Sequence, residues 1–209
     1  MIYYPIQTLI NNGIRDIIIV TGRDHMGDVI GLLGSGKQFE ADFTYKVQDE
    51  PGGIAQALSI CQDVIYADSV AVILGDNIFL PAPRVPRAKS GIWPYRGAHL
   101  YLKWVKDASR FGIATVKSDE IIDIQEKPYL DKGYAITGLY IYGKEVWDYL
   151  EDLEPSSRGE LEISDVNRRY MQEGSLTYSV LTKDTFWSDA GTFESMRATQ
   201  EYLWSISSH

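Results

Sequence analysis

Two aspartates 113 residues apart offer the clearest chemistry in this chain: Asp76, closing the run Val-Ala-Val-Ile-Leu-Gly-Asp-Asn (70–77), and Asp189, within Trp-Ser-Asp-Ala-Gly-Thr (187–192). A hard cation such as Mg²⁺ is commonly held by one or two carboxylates together with substrate phosphates, so aspartates from distant segments suit a split metal site. Asp76 follows five apolar residues that read as a buried strand. The chain then turns at Gly75 and leaves a carboxylate at the strand's carboxyl end, where open α/β sheets keep their ligands. An aspartate there also serves as a turn or cap residue, so the neighbouring motifs have to decide.

Three further segments carry chemistry. In Gln48-Asp-Glu-Pro-Gly-Gly-Ile-Ala-Gln-Ala57 a Gly-Gly pair lies between a strand and a helix, which lets a ligand approach backbone N–H groups. Gln48 at the strand end offers a donor and an acceptor suited to a base edge; a plain strand-to-helix turn is the alternative. Glu126-Lys127-Pro128 ends another strand and presents a carboxylate and an ammonium that suit a sugar hydroxyl and a phosphate, or simply pair at the surface. Arg158-Gly-Glu-Leu-Glu-Ile-Ser-Asp165 opens a helix, and its early carboxylates suit the helix dipole as well as a ligand. Gly31-Leu-Leu-Gly-Ser-Gly-Lys37 matches the spacing of a phosphate-binding loop, but a helix precedes it and Gln38 replaces the required Ser or Thr, so it reads as a helix C-terminus. His25, His99 and His209 lie in no ligand spacing.

The elements that must position these residues alternate. Pro5 suits the first turn of a helix that Gly13 stops; then follow a strand at Ile17–Val20, a helix at 24–33, a strand at Phe43–Val47, a helix at Ile54–Ile60 and a strand at Val70–Leu74. Such alternation implies crossover units and a mainly parallel sheet. From residue 97 the rhythm changes to strands with short connections, His99–Val105, Gly112–Val116, Ile121–Glu126 and Ala135–Tyr142, a mixed portion covering the sheet's carboxyl edge. Helices at 143–151 and 160–172, a strand at 177–181 and a helix from Phe193 follow. Between Asp76 and Asp107 there is no acidic residue, and Pro81, Pro83, Pro86 and Pro94 break regular structure, so residues 80–96 read as a basic, proline-rich surface loop or a sequence anomaly.

The 209 residues suffice for one large domain, 1–209, with a change of rhythm between 1–79 and 97–209. A net charge of −9 excludes a nucleic-acid or anionic-membrane surface, so an anionic substrate needs a metal or a few well-placed cations. The single cysteine, Cys61, rules out an internal disulfide, fits a reducing cytoplasm and reads as a small buried side chain. No positive flank precedes Arg15, and Gln7, Thr8, Asn11 and Asn12 interrupt any spanning segment, so the chain reads as soluble and cytoplasmic.

With Leu-Gly-Asp-Asn, Glu-Lys-Pro, Thr-Gly-Leu-Tyr (137–140), Arg-Gly-Glu-Leu-Glu-Ile and Trp-Ser-Asp-Ala-Gly-Thr in this order, the chain resembles the sugar-phosphate nucleotidyltransferases, and among them the short-form glucose-1-phosphate thymidylyltransferases. The resemblance runs through nearly the whole chain apart from residues 80–96. It implies a Rossmann-like α/β fold with a mixed, mainly parallel sheet flanked by helices, and nucleotidyl transfer from dTTP to glucose 1-phosphate giving dTDP-glucose and pyrophosphate. By the same resemblance Asp76 and Asp189 hold Mg²⁺, Gln48 and Gly53 contact the thymine, and Asn77 lies beside the metal. Gly112, Glu126, Lys127 and Ile136 line the sugar-phosphate subsite, with Glu162 a further candidate for the sugar, so that the resemblance implies a nucleotide-binding part at 1–79 and a sugar-phosphate-binding part with the last helices at 97–209. Asp76, Lys127 and Asp189 are the expected catalytic set. Partners implied are dTTP and glucose 1-phosphate, with a homo-oligomer compatible.

The family opens with a strand and a glycine-rich loop of the form G-G-x-G-T-R-L, followed by a lysine, and these 209 residues contain neither. The expectation is that Met1 corresponds to an internal methionine, with the first strand and glycine-rich loop missing ahead of it. Two alternatives stand beside the transferase reading: an inactive or regulatory nucleotide-sugar binding module, and UTP-dependent transfer to a sugar 1-phosphate.

Overall fold

A computed structural model describes residues 1–86 and 96–207. The chain opens with helix α1 (Tyr3–Asn11), in which Pro5 lies in the first turn, where its missing N–H costs no hydrogen bond. Pro5, Ile6 and Leu9 form its buried face, and Gly13, at φ 78°, ends it by taking a conformation that side chains resist. Then come β1 (Asp16–Gly22), α2 (Met26–Leu33), β2 (Asp42–Gln48), α3 (Ile54–Ser59) and β3 (Ser69–Ile73). Next are β4 (Ile78–Leu80), β5 (Ala98–Val105), β6 (Gly112–Lys117), β7 (Glu120–Glu126) and β8 (Gly133–Gly143). The last are α4 (Val146–Glu151), α5 (Ile163–Gln172), β9 (Leu176–Val180), β10 (Phe186–Ser188) and α6 (Phe193–Ser207).

The larger sheet is mixed. β3, β5 and β6 each pair antiparallel with β8, β9 pairs parallel with β5, and β7 closes the other edge antiparallel to β6. Hence β3, β5, β6 and β9 run one way and only β7 and β8 the other. β8 is its spine: eleven residues, buried almost throughout, with Leu139, Ile141 and Tyr142 fully enclosed. Each such side chain contributes roughly 1.5–3 kcal/mol through burial. The helices α4 and α5 pack on one face through Val146, Leu150, Val166 and Tyr170. β1 and β2 form a separate parallel pair with their own core of Ile17, Ile19, Leu33 and α1's Ile6 and Leu9.

Among the described residues β1 pairs only with β2, and β3 only with β8. Both strands, with Ile2, Pro5, Ile6 and Leu9, line one groove of about 1240 Å³. All five residues of β3 are consequently only half-buried although the strand lies inside the fold. Two apolar strand edges therefore border one long cavity with their backbone donors and acceptors unpaired by any other strand.

Three expectations need correction. The short antiparallel pair β4–β10 is absent from the sequence reading, because three residues give no periodicity to detect. The helix expected at 160–172 begins only at Ile163, so Glu160 and Glu162 precede it. The loop expected at 80–96 is not a loose surface segment over its described part. Val85 is buried beside Phe79, Tyr101, Leu139 and Ile141, its N–H donates to Asn12 Oδ1 at 2.8 Å, and Tyr101 donates to the Arg84 carbonyl at 2.7 Å. Residues 87–95 lie outside the described residues. Cys61 is buried as expected, and burial pushes its thiol up to about 11, which leaves it unreactive at neutral pH. Among the described residues no helix is long and apolar enough to cross a membrane.

Candidate active site

The two aspartates meet because of β4 and β10. Ser188 pairs with Ile78 and Trp187 with Phe79 in antiparallel register, so the residues just after Ser188 run back alongside those just before Ile78. A Cβ built on Gly191 would lie 3.2 Å from Asp76 Oδ2 and 3.9 Å from Asp189 Oδ2, so both carboxylates flank one point. Burial, and in lesser part the charge of Asp189, raises the Asp76 carboxyl above its ordinary range against the opposing hydrogen bond from Asn77. Among the described residues no cluster of three or more His, Cys, Asp or Glu surrounds the pair.

Asn77 stands behind Asp76. Its Nδ2 donates to Asp76 Oδ1 at 2.9 Å, while its Oδ1 accepts from the Gly138 N–H at 3.0 Å and from Trp187 Nε1 at 2.8 Å. It is buried, and a Cβ at Gly138 would come within 2.8 Å of its amide oxygen. Asn77 therefore fixes Asp76 against β8 and β10; its acceptor oxygen is already used twice, which leaves it an orienting role beside the carboxylate.

A pocket of about 290 Å³ opens next to this pair, and Asp76, Asn77, Gly112, Glu126, Lys127, Ile136, Glu162 and Asp189 all line it. Eight expected residues from six segments thus share one cavity. The missing side chain of Gly112 shapes its floor: a Cβ there would lie 3.1 Å from Ser164 Oγ, 3.2 Å from Glu126 Oε2 and 3.8 Å from Ile136 Cδ1. Glu126 accepts a hydrogen bond from Ser164 and lies 3.6 Å from Arg158 Nη2, so its close partners are on the α5 side and not the adjacent lysine. Lys127 sits at φ 43° with its N–H bonded to the Phe111 carbonyl at 3.0 Å. Among the described residues lining the pocket, it is the one cation in no ion pair.

Glu162 is less free than expected. Its Oε1 accepts from Ser156 Oγ at 2.7 Å and Arg158 Nε at 3.1 Å, and Oε2 from Arg158 Nη2 at 2.7 Å. Burial alone would raise its carboxyl, but the Ser156 and Arg158 hydrogen bonds and the Arg158 and Lys127 charges outweigh it and hold the group below the usual range. Glu162 thus holds Arg158 while lining the pocket.

Gln48 and Gly53 are not in this pocket. Both line the larger groove, and Ile54, Leu74 and Glu160 line both cavities, so the two spaces adjoin. Gln48 Nε2 already donates to the Gly53 carbonyl and to Gln56 Oε1. Gly53 adopts φ 94°, and a Cβ on it would fall 2.5 Å from the Leu161 carbonyl oxygen. The close approach that the Gly-Gly pair permits is thus made first by the chain's own Leu161, whose N–H donates to the Gly52 carbonyl at 2.8 Å. Gly53→Ala is expected to lose about 2–3 kcal/mol, from combined strain and contact, and to lower the midpoint of thermal unfolding by roughly 4–10 °C. An unchanged midpoint would show that the Leu161 segment moves aside freely.

A profile of the nucleotidyl transferase family matches residues 1–205. The chain belongs to this family. It is 38% identical over 208 residues to the glucose-1-phosphate thymidylyltransferase of Neisseria meningitidis, covering 99% of this chain and 72% of that one. The Mycolicibacterium smegmatis enzyme of the same name matches with the same identity and coverage. A Bacillus anthracis protein assigned as a glucose-1-phosphate thymidylyltransferase, crystallised with sucrose, superposes with a TM-score of 0.85 at 45% identity over 94% of this chain and 79% of that one. UDP-glucose pyrophosphorylase with UDP-glucose gives 0.74 at 20% identity over 97% and 86%, a likeness of fold alone.

This nucleotidyltransferase domain also uses residues that sequence reasoning passed over. Arg158 opens the segment whose carboxylates, Glu160, Glu162 and Asp165, suit a helix dipole, and its guanidinium points to a second role, binding Glu162 and approaching Glu126. Arg110 closes a short 3₁₀ turn, Ala108–Arg110, and pairs with Asp189, 79 residues away. The Arg110–Asp189 contact has no signature in spacing, whereas Arg158 and Glu162 stand four residues apart.

Proposed function

We propose that this domain carries out nucleotidyl transfer from dTTP to glucose 1-phosphate, giving dTDP-glucose and pyrophosphate. The observation that carries the reading is the convergence of Asp76 and Asp189 in one pocket that Lys127 and Arg158 also line. The relatives named for this reaction support dTTP over UTP.

An oxygen of the sugar phosphate attacks the α-phosphorus of the triphosphate in line. One P–O bond forms there while the α–β bridging bond breaks and pyrophosphate leaves. Both reactants are anions, so the protein's main tasks are to position them and to offset their repulsion. The exposed ammonium of Lys127 is the cation available to the sugar phosphate. Arg158, held by Glu162, flanks the same space as a fixed second positive charge. The Glu126 carboxylate, oriented by Ser164, accepts from a sugar hydroxyl over the open floor at Gly112, and Ile136 supplies an apolar wall for the ring. Gln48 and the Gly53 backbone face the adjoining groove on the base side. Asp76 and Asp189 suit Mg²⁺: two carboxylates leave coordination positions for phosphate oxygens and water, the donor set this ion favours. When bound there, the ion supplies charge stabilisation to the triphosphate.

The test is ligand affinity by calorimetry. Lys127→Ala is expected to weaken glucose 1-phosphate binding roughly 10- to 100-fold, as the loss of one charged hydrogen bond implies, with dTTP changed by about twofold or less. Equal losses for both ligands would remove Lys127 from the sugar-phosphate subsite. A protein that binds UTP as tightly as dTTP would overturn the nucleotide preference.

A further inference from the structure

Arg110 stands where a cation between the two aspartates would also compete. Its Nη2 is the close ion-pair partner of Asp189 Oδ2, and its Nη1 lies 3.8 Å from Asp107 Oδ2 on the other side. The guanidinium also sits 5.1 Å from the Phe111 ring centroid, and that ring packs on Trp187 at 5.3 Å. The arginine is thus touched by two acids and an aromatic face, of which only Asp189 belongs to the convergent pair. Asp76, in contrast, has no ion-pair partner among the described residues; its neighbours are the Asn77 amide and the other carboxylate. One half of the pair is neutralised and the other is not.

We infer that Arg110 is a removable counter-ion of Asp189, closing the cation position until a divalent ion displaces it and turns its guanidinium toward the incoming phosphates. This rests on the reading of Asp76 and Asp189 as one cation site. Two converging carboxylates repel each other, and a single arginine relieves only part of that cost. A divalent cation bridging both relieves all of it, so the exchange is favourable once the ion arrives.

The exchange is also cheap. Arg110 is 34% exposed and Asp189 19%, so the pair lies within reach of water, which screens it and lowers the cost of parting it. Asp107, 62% exposed, and the Phe111 ring are alternative neighbours already in place for the released side chain. Released, Arg110 still lines the pocket beside Gly112 and Lys127, where a phosphate oxygen can replace the carboxylate it gave up. The pocket therefore becomes more positive at the step in which it receives anions.

The experiment measures Mn²⁺ binding by electron paramagnetic resonance, with Mn²⁺ alone and no turnover. Arg110→Met keeps length and the contact with Phe111 while removing the charge; Arg110→Gln serves if that variant folds poorly, and Arg110→Lys retains a charge without the planar fork. Arg110→Met and Arg110→Gln are expected to bind Mn²⁺ about five- to tenfold more tightly than the unaltered protein, with Arg110→Lys between. Asp76→Asn combined with Arg110→Met should abolish the gain. Equal Mn²⁺ affinity with and without Arg110, in a protein whose binding still requires Asp76, overturns the counter-ion role and leaves the cation site standing. Weaker binding without Arg110 also overturns it, showing instead that the arginine holds Asp189 in position for the ion. Mn²⁺ binding that ignores both aspartates overturns the underlying site.

Discussion

Expressed as these 209 residues, the chain is expected to release little or no pyrophosphate from dTTP, glucose 1-phosphate and Mg²⁺, and a chain extended ahead of Met1 by a strand and a glycine-rich loop to recover turnover by several orders of magnitude. The physical grounds are two. First, β1 and β3 each use one edge among the described residues, and both border the 1240 Å³ groove under α1. Unpaired apolar edges inside a fold invite association with other chains. A parallel strand in the groove would pair both edges and bury the half-exposed side of β3. Ile2, at the start of α1, comes within 3.2 Å of a Cβ position at Gly75, just past the end of β3, so a strand leading into α1 would leave the groove at its carboxyl end, close to Asp76. Second, the pocket's cations are Arg110, Lys127 and Arg158, and two of these are already held by Asp189 and Glu162. Among the described residues lining the pocket, that leaves Lys127, assigned to the sugar phosphate, and Arg110 only once an ion has displaced it, to meet the departing pyrophosphate. In other enzymes one preorganised donor to a developing oxyanion is worth about 3–4 kcal/mol, or ~10²–10³ in rate. Two extended chains separate the effects: a strand alone should improve solubility with little catalysis, and strand plus loop should restore both. Robust turnover by the 209-residue protein would show that the open groove and the already paired cations of the pocket do not limit the reaction.

Asp76→Asn and Asp189→Asn, made in the extended chain, are each expected to lower the rate of transfer by ~10²–10⁴, since removal of one carboxylate ligand gives up several kcal/mol of charge stabilisation on the phosphates. They should also lose the difference between dTTP affinity measured with Mg²⁺ and with a chelator. Two further features make the comparison informative. Asp76→Asn leaves the Arg110–Asp189 pair intact, whereas Asp189→Asn frees Arg110, so the second variant should bind dTTP more tightly than the first when no divalent ion is present. The double variant should cost little more than either single one, because both residues serve one ion. An Asp189→Asn protein with Mg²⁺-dependent binding intact would break the site apart.

The sequence by itself determined most of the elements and the identities of the residues at their ends. Alternating apolar runs, with glycine and proline between them, marked β1, β2, β3 and the long β8, because strand burial imposes its pattern on five or more consecutive residues. Asp76 past the end of β3 was legible because an apolar run stops where a polar residue must face the cleft, and Glu126-Lys127 because Pro128 keeps the strand from continuing. What only the tertiary structure decided are relations between segments. β4 and β10 are too short to show a period, yet their antiparallel register brings Asp189 to Asp76. The pairing of Arg110 with Asp189, and the hold of Glu162 on Arg158, arise from side chains that fill each other's hydrogen bonds when the chain closes. Gly53 was recognised as a place of close approach, but its first neighbour is the Leu161 carbonyl, because glycine records only that something comes near and not what.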